Sequence, residues 1–545
     1  MSTAPFIHSS TTAIPRTVGN KRCHSVHEFG ATGDGATLDT MAIQAAIDAA
    51  HEAGGGIAYL PPGRYLSGGI ELRTNVTLHL EAGATLLGST DLSDYPAHAG
   101  PPAHEDANQR HLIFARGAEN IAISGLGTVD GQGQAFWEPA DRPATPTEEL
   151  WADVATHDWK PVGDNDRPSP MVELVECRNV RVEGVTLLNS PGWTLRPIAC
   201  DTVMIRGIVI RNPIHGINTD GIDPTACQNV LIADCDIETG DDAICLKSEN
   251  PYGPLRVTSN ITVTNCVLSC CCNGFKLGTA TRGGFENITF SNSVIYNRAV
   301  PLNQRVIAGF AIEMVDGGWI DGVSIANIRM QNVRTPIFIR LGNRGWGQPI
   351  PTPGSLRGIK ISGVHATGAI LTSSITGIPG RPVEDVTLSD IRIETDEGGE
   401  RSWTDAHVPE EVASYPEARM FGRLPAYGMY IRHARDVRLS DVDIRSTVPD
   451  PRPLLVTDDV EQLSLRSLTG TGPGPGTALL DLRDTRDGSL QGSTAPHETD
   501  IYLRVSGGSS AGISMVGNDL ARASTPLEVT TEVPPDAVRC GGNLH

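Results

Sequence analysis

Asn260-Ile-Thr-Val and Asn287-Ile-Thr-Phe carry the pattern that decides the fold. A turn-favouring residue is followed by alternating apolar and polar positions, the period of a half-buried strand. The same pattern stands earlier at Asn75-Val-Thr-Leu-His-Leu, Asn120-Ile-Ala-Ile, Asn179-Val-Arg-Val and Asn229-Val-Leu-Ile. It continues at Gly322-Val-Ser-Ile, Gly358-Ile-Lys-Ile, Asp385-Val-Thr-Leu and Asp436-Val-Arg-Leu. Copies recur at roughly 20–50 residues, the range of solenoids and propellers. Propeller blades usually carry aromatic markers, and aromatics make up only 5% of this chain. Short strands with Asn, Gly or Asp turns therefore predict an all-β chain, a right-handed parallel β-helix. Its rungs stack at about 4.8 Å, and one face forms a long groove.

Ahead of most repeats, Thr40 to Ala53 reads as a helix. Thr40 is the expected cap, Ile43, Ala46, Ile47 and Ala50 lie on one face, and Gly54-Gly55-Gly56 ends it. The expected plan is an N-terminal extension (1–26), a β-helix with its helical cap (27–480) and an irregular capping segment (481–545). Longer spacings mark inserted loops. Glu138–Ser169 and Asp396–Met420 are rich in Pro and acidic residues, carry Trp, and are expected to wall the groove.

The chain of 545 residues has 43 Lys plus Arg against 64 Asp plus Glu, a net charge of −21. Such a surface repels nucleic acid phosphates and anionic membranes, so neither is an expected partner. No apolar run approaches the roughly 20 residues that span a bilayer. The N-terminus shows no basic start and no apolar stretch of a secretory signal. A cytoplasmic location is expected on that ground, or a secreted one if a leader was trimmed away. The 11 Cys are odd in number and form no CxxC pair, which fits small reduced core residues better than disulfides or a metal site. His104 and Glu105 lack the second His of a zinc motif and read as loop. The sequons at Asn75, Asn260 and Asn287 coincide with the repeat and say nothing of glycosylation.

Two neighbouring repeats stand apart. One contains His215-Gly-Ile-Asn218-Thr219-Asp220-Gly221-Ile-Asp223, the next Thr239-Gly240-Asp241-Asp242-Ala-Ile-Cys-Leu-Lys247. Asp220 and Asp241 are about one coil apart, so stacking brings carboxylates onto neighbouring rungs. Like-charge repulsion then keeps one carboxyl protonated, beside ionised ones, as glycosidic cleavage requires. Each motif alone is mostly a turn former; together, at one-coil spacing, they favour a site. Calcium binding is a further reading of clustered carboxylates.

Asn218-Thr219-Asp220-Gly221 with Gly240-Asp241-Asp242 resembles glycoside hydrolase family 28, the polygalacturonases. The likeness runs from about Val26 to Leu480. Phe29-Gly30-Ala31-Thr32-Gly33-Asp34-Gly35 with the helix is similar to the cap of pectin-lyase-like β-helices. Gly127-Thr-Val-Asp130-Gly131-Gln132-Gly133 and Ser190-Pro191-Gly192-Trp193 are similar to groove-side motifs. The resemblance implies inverting hydrolysis of a pectic, galacturonate-containing poly- or oligosaccharide, without metal or cofactor. Asp241 is then the general acid, and Asp220 and Asp242 activate water across a gap of roughly 6.5–9.5 Å.

This chain departs from the pattern twice. Asn273 stands where the family's Gly-His-Gly motif has the histidine that helps set the cluster's protonation state. Ala311-Ile312-Glu313 stands for Arg-Ile-Lys, whose cations bind a galacturonate carboxylate, and Glu313 is expected to repel such a group. Lys247, Lys276, Arg340 and Arg344 are candidate replacement cations. Trp346, Trp319 and Trp193 are candidates for sugar stacking. His215 is a weaker candidate for the lost histidine's role. The departures and insertions lean towards exo action or a rhamnogalacturonan backbone. A β-helix lyase and a non-catalytic carbohydrate-binding β-helix remain as other readings.

Overall fold

The left-handed turn residue of each repeat explains the fold. In the computed structural model, Asn75, Asn120, Asn179, Asn229, Asn260 and Asn287 have φ of 66°, 55°, 53°, 59°, 58° and 53°. Asn tolerates this region, and Gly322 and Gly358, at 84° and 70°, take it without a Cβ penalty. Each Asn also donates its amide to the residue below. Asn120 Nδ2 reaches Asn75 Oδ1 at 2.8 Å, Asn179 reaches Asn120 at 2.8 Å and Asn260 reaches Asn229 at 2.9 Å. Thr202 holds the same position with φ 61°, a copy that an Asn, Gly or Asp rule overlooks.

The next residue of each repeat points inward. Ile121, Val180, Val203, Val230, Ile261, Ile288, Val323, Ile359, Val386, Val437 and Leu463 stand in register through consecutive parallel pairings. All belong to one continuous apolar core. The all-β parallel helix is thus what the repeat predicted. Residues 23–98, 109–147, 151, 153–297 and 300–545 are described. His104, Glu105 and residues 1–22 of the expected extension lie outside them.

Three expectations need correction. Cys23–Ser25 already pairs in parallel with Gly56–Leu60, so the fold begins before residue 27. The helix Thr40–Glu52 is not capped by Thr40. Thr40 is its first residue, and its hydroxyl accepts from Gly68 N–H at 2.8 Å. Asp39 turns its carboxylate to Thr32 N–H (2.8 Å) and Gly33 N–H (3.0 Å), tying the helix to the preceding loop. The predicted apolar face is right: Ile43, Ala46, Ile47 and Ala50 are buried and join the core.

Residues 481–545 are not irregular. Gly474–Gln491 pairs in parallel with Thr499–Ser506 and Ile513–Val516, which pair with Thr525–Val529 and Val538–Gly541. Alternation survives there, with Ile501, Leu503 and Val505 buried. The repeat is interrupted rather than lost: Gln462 takes the left-handed turn position at φ 57°, Gly488 follows Asp487 where an apolar residue stood before, and Gly512-Ile513 resumes the pattern at φ 68°. All 11 cysteines are free, and only Cys23 and Cys540 are exposed.

Asn260→Ala strains the left-handed position and removes a rung-to-rung bond, and should destabilise by about 1–3 kcal/mol. Asn260→Gly keeps the conformation and should cost less than half of that. Denaturant unfolding of both variants checks the order; equal losses would deny the backbone's share.

Candidate active site

The sheet that presents the acidic motifs runs through Leu195–Ile198, Ile244–Leu246, Asn273–Leu277, Ala308–Met314 and Thr335–Leu341. Ile222 bridges Ile244, and Thr225 bridges Lys247. That register sets Asp220 opposite Asp242 rather than Asp241. Asp241 lies one residue earlier, half-buried, and its Oδ1 accepts from Asp242 N–H at 2.8 Å. Ligand atoms of Asp220, Asp242 and Cys245 fall within 4.8 Å of one another, as do those of Asp241, Asp242 and Cys272. The predicted convergence of carboxylates is present, with Asp223 added, completely buried.

Two lysines meet this charge. Lys276 Nζ lies 3.2 Å from Asp242 Oδ2 and 3.8 Å from Glu313 Oε2. Lys247 Nζ lies 3.9 Å from both Asp220 and Asp223. It also sits 4.8 Å over the Trp193 ring and donates to Cys245 Sγ at 3.0 Å. These ammonium groups offset part of the charge of the carboxylates. Asn273 donates twice to Asp242 Oδ1, from N–H at 3.0 Å and Nδ2 at 2.7 Å.

The environments push the carboxyls apart. Burial, then Asp223 and Asp241, raise the Asp220 carboxyl well above the usual range. Burial pushes Asp223 up to about 7 against the pull of Lys247. Burial would raise Asp242 as well, but Lys276, Lys247 and Asn273 outweigh it and hold it below the ordinary value. Burial, more than the repulsion read from the sequence, is the leading cause of protonation. Glu313, buried with Lys276 beside it, is pushed up to about 8. Burial is the cause, against the pull of Lys276, and it weakens the repulsion that Glu313 was expected to exert on an anion.

Other predicted residues divide. Asn218, with φ 49°, is a turn former whose Oδ1 accepts from Arg167 Nη2 at 3.0 Å. Arg340 does not face the cluster. It donates to the carbonyls of Gly377, Glu410 and Glu411, so it anchors the second insertion. Trp193 is 3% exposed, with Lys247 and Arg196 on its ring, and has no face for a sugar. Trp319 packs on the backbone at Gly284. His215 stacks near Trp159, 5.4 Å away, on the first insertion rather than in the carboxylate network. Trp346 is 36% exposed and lies 6.0 Å from Arg344, which binds Asp316 through Nε and Nη2 at 2.9 and 2.7 Å.

Tyr415 was not legible. It comes from the second insertion, 139 residues beyond Lys276, and its hydroxyl accepts from Lys276 Nζ at 3.4 Å. Its ring also covers Arg344 at 5.5 Å. Among the described residues, the expected groove is covered on both sides of the carboxylates. C-terminal to the carboxylates, Ala311, Phe338, Tyr430 and Val456 face outward from the sheet and are buried. They form a second apolar cluster with Val154 of the first insertion and Val408 and Ala418 of the second. On the other side His98 stacks on Phe114 at 3.7 Å, and Tyr252 packs against the same patch. The sequence signal was a loss of alternation: Ala308–Met314 and Thr335–Leu341 are buried at every position.

The model of glycosyl hydrolases family 28 matches residues 61–414, which contain all of these acids. The chain belongs to that family. It is a glycoside hydrolase. It is 28% identical over 400 residues to a probable polygalacturonase of Vitis vinifera, covering 68% of this chain and 74% of that one. It is 26% identical to an exo-poly-alpha-D-galacturonosidase of Dickeya chrysanthemi, covering 60% of this chain and 57% of that protein. A Thermotoga maritima exopolygalacturonase has a similar fold, with TM-score 0.55, 24% identity, and 69% and 88% of the chains covered. The tailspike of E. coli bacteriophage HK620 is similar in fold over 96% of this chain and 78% of its own, at TM-score 0.51 and 11% identity.

Glu313 gains its proton affinity on folding, rising from 4.5 to about 8. Its folded state binds the proton more tightly, so its contribution to stability is full below the lower value and is lost as pH rises through the upper one. Glu313→Gln should therefore flatten the fall in thermal stability across that window. An unchanged slope would place the proton elsewhere.

Proposed function

We propose that this chain is an inverting, exo-acting hydrolase of galacturonate-containing pectic chains or oligosaccharides. The observation that carries the reading is the apolar cover on either side of the carboxylates. The carboxylates lie between two roofed stretches of sheet, so a chain end fits and a continuous strand of polysaccharide does not. The names of the Dickeya and Vitis relatives support the substrate class. Burial raises the proton affinity of Glu313 and so weakens its repulsion of a uronate. Arg344, flanked by the exposed rings of Tyr415 and Trp346, is the cation best placed to read its carboxylate.

Asp241, the acid with the greatest access to solvent, protonates the leaving oxygen. Asp242, held ionised by Lys276 and Asn273, takes the proton of the attacking water. Asp220, opposite Asp242 on the preceding rung, orients that water through its carboxyl. General acid or base help of this kind is worth about 10²–10⁴ in rate.

Asp241→Asn should lower kcat by about 10²–10⁴ on pectic oligosaccharides but far less on a glycosyl fluoride, which leaves without protonation. Asp242→Asn should lose activity on both. Wild type should release one small product from the start of the reaction, with a slow fall in viscosity. Rapid viscosity loss with mixed long fragments from polygalacturonan and rhamnogalacturonan backbone alike would sink the exo reading. An unsaturated product would indicate a lyase instead.

A further inference from the structure

We propose that Lys276 is a positioning residue. Together with Asn273 it holds Asp242 as the anion that activates water, the task of the histidine that the family places at position 273. The inference rests on the hydrolase reading above.

Phe275 and Leu277 point into the core, so Lys276 between them must face the pocket. Its Nζ meets Asp242 Oδ2 at 3.2 Å, while Asn273 supplies both donors to Oδ1. A neutral amide orients a carboxylate but contributes no charge. The ammonium contributes it, and a cation at this range lowers a carboxylate pKa by about 1–3 units. Glu313 and Tyr415 fix the ammonium from its other sides, at 3.8 and 3.4 Å.

The same residue explains the other departures. Ala311 stands in register with Lys276 on the next rung. An arginine at 311 would set a second cation beside the ammonium, about 4.8 Å along the stack. Ala311 removes that repulsion, and Glu313, where the family has a second cation, gives Lys276 a carboxyl neighbour. Asn273, Ala311 and Glu313 thus form one compensated set around Lys276 rather than separate losses.

Every charged neighbour of Asp242 enters its titration. Asp220 and Asp223 face it from the preceding rung and Asp241 from its own turn. Lys247 and Cys245 face it from the following strand, but Lys247 is engaged by Asp220 and Asp223. Cys270, Cys272, Glu313 and Tyr415 complete the set from the next rungs and the second insertion. Among these, Lys276 is the cation closest to Asp242.

The test is the pH profile of kcat/KM for Lys276→Met, with Lys276→Gln as a milder variant should the first fail to fold. The acidic limb, set by ionisation of Asp242, should move up by about one pH unit or more. Lys276→Arg should restore it, and Asn273→His in the Lys276→Met background should move it part of the way back. A uniform fall in kcat with an unmoved limb would reduce Lys276 to a structural role and overturn the proposal. A 13C NMR titration of labelled aspartates, wild type against Lys276→Met, reads the same shift without substrate. If no pectic substrate is cut but the Asp242 resonance moves, the hydrolase reading fails and the Lys276 assignment stands. If the resonance does not move, the assignment fails by itself.

Discussion

Parallel in-register stacking is the constraint on which everything else in this protein depends. Each rung must bend at the same place, and it does so through a residue in the left-handed region. Asn serves there because its side chain both tolerates the conformation and hydrogen-bonds to the rung below. Once the bend is fixed, the next apolar residue has one direction to point. A single column of Val, Ile and Leu follows, and the core is continuous from end to end.

The stacking also creates the electrostatic problem that the site solves. Residues separated by a coil in sequence are laid side by side, so acidic turns on consecutive rungs become a buried cluster of like charge. Burying ionised carboxylates without partners is costly, and the chain answers in two ways. Some acids hold their protons more tightly: Asp220, Asp223 and Glu313 are all raised by burial. Asp242 instead stays ionised because lysines from two rungs and an asparagine converge on it. Acid and base character are divided by environment among chemically identical side chains.

The insertions cover part of a solenoid face. They do so with ordinary core physics. Outward positions that a groove would leave polar are Ala311, Phe338, Tyr430 and Val456, and loops supply Val154, Val408 and Ala418 to cover them. Arg340, buried and spent on backbone carbonyls, pins the second loop in place. Tyr415, carried by that loop, then lies over Lys276 and Arg344.

The repeat, the parallel β-helix, the buried helix face and the meeting of Asp220, Asp241 and Asp242 could all be read from the amino-acid order. These follow from local rules: a two-residue alternation, a left-handed turn residue, and motifs one coil apart. The amino-acid order missed the C-terminal coils because Gln462 holds one turn position and Gly488 the apolar position of the next coil, which breaks the pattern before Gly512-Ile513 resumes it. Only the tertiary structure decided which cation serves which acid. Arg340 and Lys247 looked as available as Lys276, but register and burial engage the first two elsewhere. Only the tertiary structure closed the groove, because an insertion's docking site depends on contacts more than a hundred residues apart, such as Tyr415 with Lys276, separated by 139. Proton affinity was beyond the sequence for the same reason: it depends on how much water each carboxyl keeps, and packing sets that.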